Sequence, residues 1–123
     1  MSRYIPILQE HVGRYELDQL LDRDGVLVLT LEHENGKRVF IKFDSYLVYR
    51  KRDEGDALRT LDGMRRSIGT THCFYKVEES DFIAWFNREI YADKPRQMEH
   101  YIIATLNDVI DVISLQGPVI DIS

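Results

Sequence analysis

The pair His72-Cys73 contains the residue types of a cysteine nucleophile and its histidine base, with His11, His33 and His100 elsewhere in the chain. Adjacent side chains of a strand point to opposite faces, so His72 is poorly placed to activate its neighbour. No flanking signature of a cysteine enzyme is present, and a cysteine within an apolar strand is usually a small buried hydrophobe. We therefore expect Cys73 to be a core residue.

Two short acidic segments resemble metal sites, and neither fits one. In Glu32-His33-Glu34 the glutamates of a strand would share one face and the histidine would oppose them, which is typical of a charged hairpin tip. Asp22-Arg23-Asp24-Gly25 matches part of a calcium loop. Aligning its glycine with the invariant one puts Leu20 and Leu31 at ligand positions, so we interpret the segment as a turn.

The common sequence motifs of nucleotide-binding proteins and hydrolases are missing. The chain contains no Walker motif, G-x-G-x-x-G, G-x-S-x-G or H-E-x-x-H. We therefore expect no cofactor, no metal and no enzymatic activity, although carboxylates that act as a pair can lie far apart in sequence.

Basic residues are concentrated between positions 50 and 66, where acidic residues are interleaved with them. The chain has 16 Lys and Arg against 21 Asp and Glu, a formal net charge of −5, so clustering would be needed for nucleic-acid binding. Ion pairs are the simpler interpretation of this stretch. The residues are Arg50, Lys51, Arg52, Arg59, Arg65 and Arg66, with Asp53, Glu54, Asp56 and Asp62.

The region from Val77 to Asp111 is acidic and aromatic, with eight acidic against three basic side chains. Aromatic side chains ringed by carboxylates could anchor and steer a basic partner protein. The alternative is that the carboxylates face solvent while the aromatics fill the core. Trp85 is the best candidate for exposure, because it lies beside the apolar helical stripe of Phe82, Phe86 and Ile90. The candidate partner contacts are Glu78, Glu79, Asp81, Trp85, Glu89 and Tyr91.

Length and composition indicate one domain over residues 1–123 with a core of its own. The single cysteine excludes an intramolecular disulfide and favours a reducing compartment. The N-terminus lacks a signal-peptide pattern, and the longest strongly apolar stretch, Val26 to Leu31, is too short to span a bilayer. We expect a cytoplasmic protein.

The clearest local structure is a β-hairpin of residues 26–31 and 38–43 around Asn35-Gly36. A two-residue type I′ loop would place Leu31 opposite Phe40, Thr30 opposite Ile41 and Val28 opposite Phe43. Both faces would then be apolar, which predicts packing on each of them.

The other elements are strands and short helices. Tyr4 to Leu8 could be a strand, and Leu17, Leu20 and Leu21 suggest a short helix ended by Asp24-Gly25. Residues 46–50, 72–77, 100–105, 109–115 and 119–122 are predicted strands, and 53–66 is helical or irregular. A helix over 81–91 begins at an N-cap, Ser80, and is closed by Asp93, Lys94 and Pro95. The predicted class is α+β, mainly antiparallel sheet of six or seven strands, with one clear helix near 81–91 and one or two short ones.

A set of spaced residues over about positions 40–113 resembles small bacterial immunity proteins encoded beside polymorphic or contact-dependent toxins. The set is Phe43-x-x-Tyr46, Tyr49-Arg50-x-x-Asp53-Glu54-Gly55, Phe74-Tyr75-x-Val77-Glu78-x-Ser80-x-Phe82-x-x-Trp85-Phe86, His100-Tyr101 and Asn107-Asp108-x-Ile110-Asp111-Val112. The resemblance implies a non-enzymatic cytoplasmic binder that occludes the active site of a cognate toxin, often a basic nuclease. An acidic inhibitor surface is the physical complement of such a partner.

Two other functions remain open. One is a small enzyme or ligand-binding domain with a pocket in a curved sheet, lined by Tyr46, Tyr49, His72, Tyr75 and His100. It requires a concave pocket with convergent polar groups. The other is a structural or regulatory module that oligomerises through its edge strands.

Overall fold

The computed structural model describes residues 2–7, 15–68, 74–90 and 96–122. Within these residues the chain forms nine strands and two helices, so the predicted α+β class is confirmed with more strands than expected. The strands are β1 (Arg3–Pro6), β2 (Tyr15–Arg23), β3 (Val26–His33), β4 (Arg38–Phe43), β5 (Tyr46–Asp53), β6 (Phe74–Glu78), β7 (Glu99–Ala104), β8 (Asp108–Ser114) and β9 (Val119–Ile122). The helices are α1 (Leu58–Ile68) and α2 (Asp81–Glu89), and a short 3₁₀ turn (Glu54–Asp56) precedes α1.

Two antiparallel sheets and a helical layer make up the fold. The larger sheet has the strand order β1-β6-β7-β8-β5, and the smaller has the order β2-β3-β4-β9. One face of the larger sheet, here called the sandwich face, packs on the smaller sheet: Leu29 and Ile41 share a core cluster with Phe74, Tyr101 and Ile110. Its opposite face, the helix face, buries Met64 of α1 against Tyr75 and Ile102.

The helix predicted around Leu17, Leu20 and Leu21 is wrong, because these residues lie in β2. A bulge between Leu17 and Gln19 interrupts the pairing of β2 with β3. Since a bulge adds one residue to the alternation of a strand, Leu17 and Leu20 both pack against the core although they are three positions apart. That spacing is also the spacing of a helical face, so the bulge imitates a helix in the sequence pattern.

The turn at Asp24-Gly25 is the two-residue type I′ loop of the structure. Asp24 and Gly25 have φ angles of 54° and 80°, and Arg23 pairs with Val26 across them. This backbone matches the twist of the strands that it joins. The dipeptide therefore connects two strands instead of ending a helix.

The hairpin of β3 and β4 is confirmed, but its predicted register is wrong by one residue. The N–H of His33 donates to the carbonyl of Lys37, and Gly36, at φ 90°, closes a three-residue loop instead of a two-residue one. The extra loop residue moves Phe40 opposite Thr30. A one-residue shift exchanges the faces of a strand, so the buried apolar pairs now share one face. These pairs are Leu27 with Phe43, Leu29 with Ile41 and Leu31 with Val39.

The opposite face of this hairpin is largely polar, which corrects the expectation that both faces are apolar. It pairs Val28 with Lys42 and Glu32 with Arg38. The exposed Arg38 side chain lies 3.4 Å from Asp18 and 3.7 Å from Glu32, as ion pairs at a solvated surface do. The predicted charged hairpin tip is therefore confirmed.

The helix predicted over 81–91 is confirmed as α2. Ser80 is its N-cap, and the Ser80 hydroxyl accepts a hydrogen bond of 3.0 Å from the N–H of Ile83. The ambiguous segment 53–66 is the 3₁₀ turn followed by α1. The predicted helix stop at Asp93, Lys94 and Pro95, and the predictions for His11, His72 and Cys73, lie outside the described residues.

Candidate functional site

Most of the predicted partner contacts lie at the surface around α2. Glu79, Asp81 and Glu89 are exposed, and Trp85, the aromatic residue that the sequence made the best candidate for exposure, is 41% exposed. Glu78 is half-buried and forms an ion pair with Arg3 of β1. Tyr91 lies outside the described residues.

Trp85 is held on a column of aromatic rings that descends into the protein. Its indole stacks on Phe82 with ring centroids 5.6 Å apart and an interplanar angle of 12°. Phe82 is buried and meets the His100 ring edge-on at 5.3 Å. Below this column, the guanidinium of Arg50 lies 4.1 Å from the centroid of the Phe82 ring. The exposed indole is therefore placed by Phe82 of its own helix, which rests on His100 and Arg50 of the larger sheet.

A cavity of about 480 Å³, here called the acidic groove, lies beside the start of α2. Its carboxylates are Glu78, Glu79 and Glu99, against one basic residue, Lys76, which lies 3.6 Å from Glu99. Apolar lining comes from Ile83, Met98 and Leu115 among others. The groove therefore combines a net negative charge with apolar contact area.

Glu79 enters the groove from an uncommon backbone conformation. Its φ angle is 53°, in the left-handed region that residues other than glycine rarely adopt. The left-handed conformation costs a non-glycine residue about 1–2 kcal/mol. Such strain persists only where the surrounding structure imposes it, and it is found often at binding sites.

A second polar cluster, here called the Asp111 network, is built on the helix face of the larger sheet. Asp111 is fully buried, and its Oδ2 accepts hydrogen bonds from Arg50 Nε at 2.9 Å and Arg52 at 2.8 Å. Its Oδ1 lies 2.7 Å from His100 Nε2. Arg52 also donates to the Thr60 hydroxyl of α1 at 3.2 Å. The basic stretch of β5 is thus an ion-pair system, as the sequence interpretation favoured.

The Asp111 carboxyl is kept ionised in this setting. Burial by itself would raise its pKa, but the hydrogen bond with His100 and the charges of His100 and Arg50 outweigh burial and lower the pKa below its ordinary value. Asp111 is consequently a stable anion that orients the three groups around it.

Ser80, His100 and Asp111 form a hydrogen-bonded chain with the composition of a hydrolase triad. Ser80 Oγ lies 2.7 Å from His100 Nδ1, and His100 Nε2 lies 2.7 Å from Asp111 Oδ1. The same Ser80 oxygen caps α2, and the second Asp111 oxygen is held by two guanidinium groups. The arrangement therefore ties the start of α2 to the sheet, which is a positioning role.

A separate cavity of about 370 Å³, here called the arginine cavity, opens over the Asp111 network between α1, α2 and β1. It is lined by Tyr4, Arg50, Arg59, Thr60, Phe82, His100 and Asp111 among others. Of the residues predicted to line a pocket, His100 belongs to this cavity, whereas Tyr46, Tyr49 and Tyr75 do not. Tyr46 and Tyr49 form an edge-on pair with ring centroids 5.7 Å apart and pack against the core between the sheets, and Tyr75 is buried.

The central member of the network was missed in the sequence, although a signal was present. Asp111 interrupts the apolar run Val109-Ile110-Asp111-Val112-Ile113, which is otherwise a fully buried strand. A charged residue in such a strand must be paired, and Arg50 and Arg52 alternate correctly to share one face of β5. Which strands would lie side by side was not readable from the sequence.

Comparison of the chain with known protein families, curated proteins and solved structures gives no match. Within the described ranges, no three His, Cys, Asp or Glu residues are grouped to hold a metal ion. Neither helix that the structure describes has the length and apolar character needed to cross a membrane. The function must therefore be argued from the two cavities and the α2 surface.

Proposed function

We propose that this chain is a non-enzymatic protein-binding inhibitor, an immunity protein that neutralises a cognate bacterial toxin in the cytoplasm by occluding its active site. The observation that carries the proposal is the exposed indole of Trp85 on α2, with the exposed carboxylates of Asp81 and Glu89 about one helical turn before and after it and the exposed Glu79 just before the helix. The acidic groove lies along the same helix. The resemblance of residues 40–113 to immunity proteins supports the same role.

An exposed tryptophan on a rigid support has the properties of an interface anchor. Binding hot spots are enriched in tryptophan, and an anchor that is already ordered loses little conformational entropy on binding. Trp85 meets this condition because Phe82 holds the indole from below. The half-buried Phe86, whose ring centroid lies 6.3 Å from that of the indole, extends the apolar area.

Charge determines the kind of partner. The acidic groove contains three glutamates and one lysine, and the whole chain carries a formal net charge of −5. A basic protein surface, such as the substrate-binding face of a nuclease, is attracted to this region and meets carboxylates where it would meet phosphates. Binding of nucleic acid by this acidic surface is disfavoured for the same reason.

The test is co-expression of the tagged chain with the proteins encoded beside it, followed by purification at low and high salt. The expected result is a stoichiometric complex with one of these proteins, loss of that protein's toxicity, and weaker capture at high salt. Trp85→Ala is expected to weaken binding about tenfold or more. Val119→Ala is the matched control, because Val119 is 54% exposed on β9 of the smaller sheet.

Two substitutions of Glu79 distinguish an effect on toxin binding from an effect on the stability of the fold. Glu79→Gly relieves the left-handed backbone and is expected to raise the free energy of unfolding by about 1 kcal/mol while weakening the complex. Glu79→Gln removes the charge alone and should weaken binding without the stability gain, and Glu34→Gln at the exposed hairpin tip should change neither. Equal binding by the wild type, Trp85→Ala and Glu79→Gln would overturn the proposal.

A further inference from the structure

The arginine cavity has the features of a small-molecule site that is separate from the α2 surface. Its volume of about 370 Å³ lies within the range of ligand pockets in proteins. Tyr4, Phe82 and Ile102 give it apolar walls, and Arg50 and Arg59 bring two guanidinium groups to it. Ligand pockets combine these elements, an apolar lining and a few convergent polar groups.

Arg50 is held in place with most of its hydrogen-bonding capacity unused. Its Nε donates to Asp111 Oδ2 at 2.9 Å, and its guanidinium plane lies on Phe82 at 4.1 Å. Within the described part of the chain, neither terminal nitrogen of Arg50 has a hydrogen-bond partner. A guanidinium immobilised at Nε and on its face presents its two NH₂ groups as a preformed fork, which suits a carboxylate or a phosphate.

Arg59 adds a second cation that is not neutralised locally. It lies exposed on α1 and lines the same cavity, and no carboxylate of the described residues is paired with it. The negative charge of Asp111 is already balanced by its ion pairs with Arg50 and Arg52. Asp81 also lines the cavity, where it accepts a hydrogen bond from Ser2. The two arginines and two aspartates that line the cavity balance each other, and Arg52, which binds Asp111 from outside the lining, brings the local charge to +1. The lining of the acidic groove is net negative.

Two hydroxyl groups of the cavity complement this charge. The Thr60 hydroxyl accepts from Arg52 and keeps its own proton to donate. Burial raises the pKa of the Tyr4 phenol, with further contributions from the charges of Asp111 and Asp81, so this hydroxyl remains a donor at neutral pH. The lining of the cavity thus combines several hydrogen-bond donors with apolar walls.

We propose that the arginine cavity binds a small molecule that carries an oxyanion, a carboxylate or a phosphate, on a compact apolar or aromatic body. The oxyanion lies between the Arg50 fork and the Arg59 guanidinium, and the body lies against Tyr4, Phe82 and Ile102. The site shares Asp81 and the Phe82 ring with the α2 surface, but its anion-binding groups, Arg50 and Arg59, take no part in the proposed toxin binding.

The test is titration of the full-length ¹⁵N-labelled protein with benzoate and with phenyl phosphate, with benzyl alcohol as the neutral analogue. Saturable shifts of the amide signals of Tyr4, Arg50, Thr60 and Phe82 are expected with at least one of the two anions and not with benzyl alcohol. The anion that binds more tightly identifies the head group.

Variants distinguish a built site from general attraction of anions. Arg59→Gln is expected to weaken binding at least fivefold, and Arg50→Lys, which keeps the charge but loses the fork, should do the same. Arg23→Gln is the matched control, because Arg23 is an exposed arginine on the other sheet, 3.6 Å from Asp24. Glu79→Gln, which changes the acidic groove and not the lining of the arginine cavity, should leave the titration unchanged, so the two proposals can fail separately. No saturable shift with either anion, or equal binding by Arg59→Gln and the wild type, would overturn the inference.

Discussion

The two faces of the larger sheet are built from the same strands and have opposite characters. On β8, Ile110 points into the sandwich core and the next residue, Asp111, points to the helix face. On β7, Tyr101 likewise points into the sandwich core, and its neighbour His100 points to the helix face. The buried cluster of the sandwich face is apolar, whereas the helix face holds a buried anion with two arginines and a histidine.

Because of this difference, both candidate binding regions lie on the helix face. Sheet-on-sheet packing fills the sandwich face with side chains and leaves no need for charge. The helix face is covered by two short helices, and both the arginine cavity and the acidic groove lie beside α2, the helix that Ser80 and His100 tie to the sheet. Both candidate binding regions therefore depend on the Asp111 network for their shape.

The largest effect is expected from removal of the buried anion. Asp111→Ala leaves Arg50, Arg52 and His100 without their shared partner, and breaking a buried ion pair from one side costs about 3–5 kcal/mol. Urea denaturation measures the loss. Asp121→Asn, at an exposed position on β9, should stay within about 0.5 kcal/mol of the wild type. A loss below about 1 kcal/mol for Asp111→Ala would mean that the network contributes little.

Lowering the pH should reduce the stability that the helix face contributes and should leave the contribution of the sandwich face unchanged. The pKa of Asp111 is lowered in the folded state, so its contribution to stability is present above its ordinary pKa of about 3.9 and is lost as the pH falls through the folded-state value. The stability difference between wild type and Asp111→Asn should therefore shrink between pH 5 and the lowest pH at which the protein remains folded. Ile110→Val, on the sandwich face, should show a difference of about 0.5–1.5 kcal/mol that does not change with pH. A pH-independent difference for Asp111→Asn would contradict the assigned role.

The smallest effect is expected where the network meets α2. Ser80→Ala removes the N-cap and should cost about 1 kcal/mol, whereas Ser80→Thr retains a capping hydroxyl and should cost less. The informative readout is the fluorescence of Trp85, the only tryptophan of the chain, because a loosened α2 changes the environment of its indole. Unchanged fluorescence and stability in Ser80→Ala would show that α2 is held by its apolar contacts alone.

Local sequence signals predicted much of the secondary structure, and they failed where a single residue changed the geometry. Ser80 and the apolar stripe after it identified α2, because capping and helical spacing are short-range. The bulge after Leu17 and the additional loop residue Glu34, before Asn35-Gly36, were not recognised, and each shifted a strand pattern by one position. Side chains of a strand alternate between its two faces, so a shift of one residue is enough to exchange the side chains that face the core with those that face solvent.

The sequence by itself determined the class of the fold and the acidic character of the region around α2, and it marked Trp85 as the aromatic residue best placed for exposure, because these follow from composition, local spacing and charge. Only the tertiary structure decided that Arg50 and Arg52 of β5, His100 of β7 and Asp111 of β8 meet on one face, and that a cavity opens above them. Strand order is set by packing of the whole chain, and no short-range pattern records which strands become neighbours.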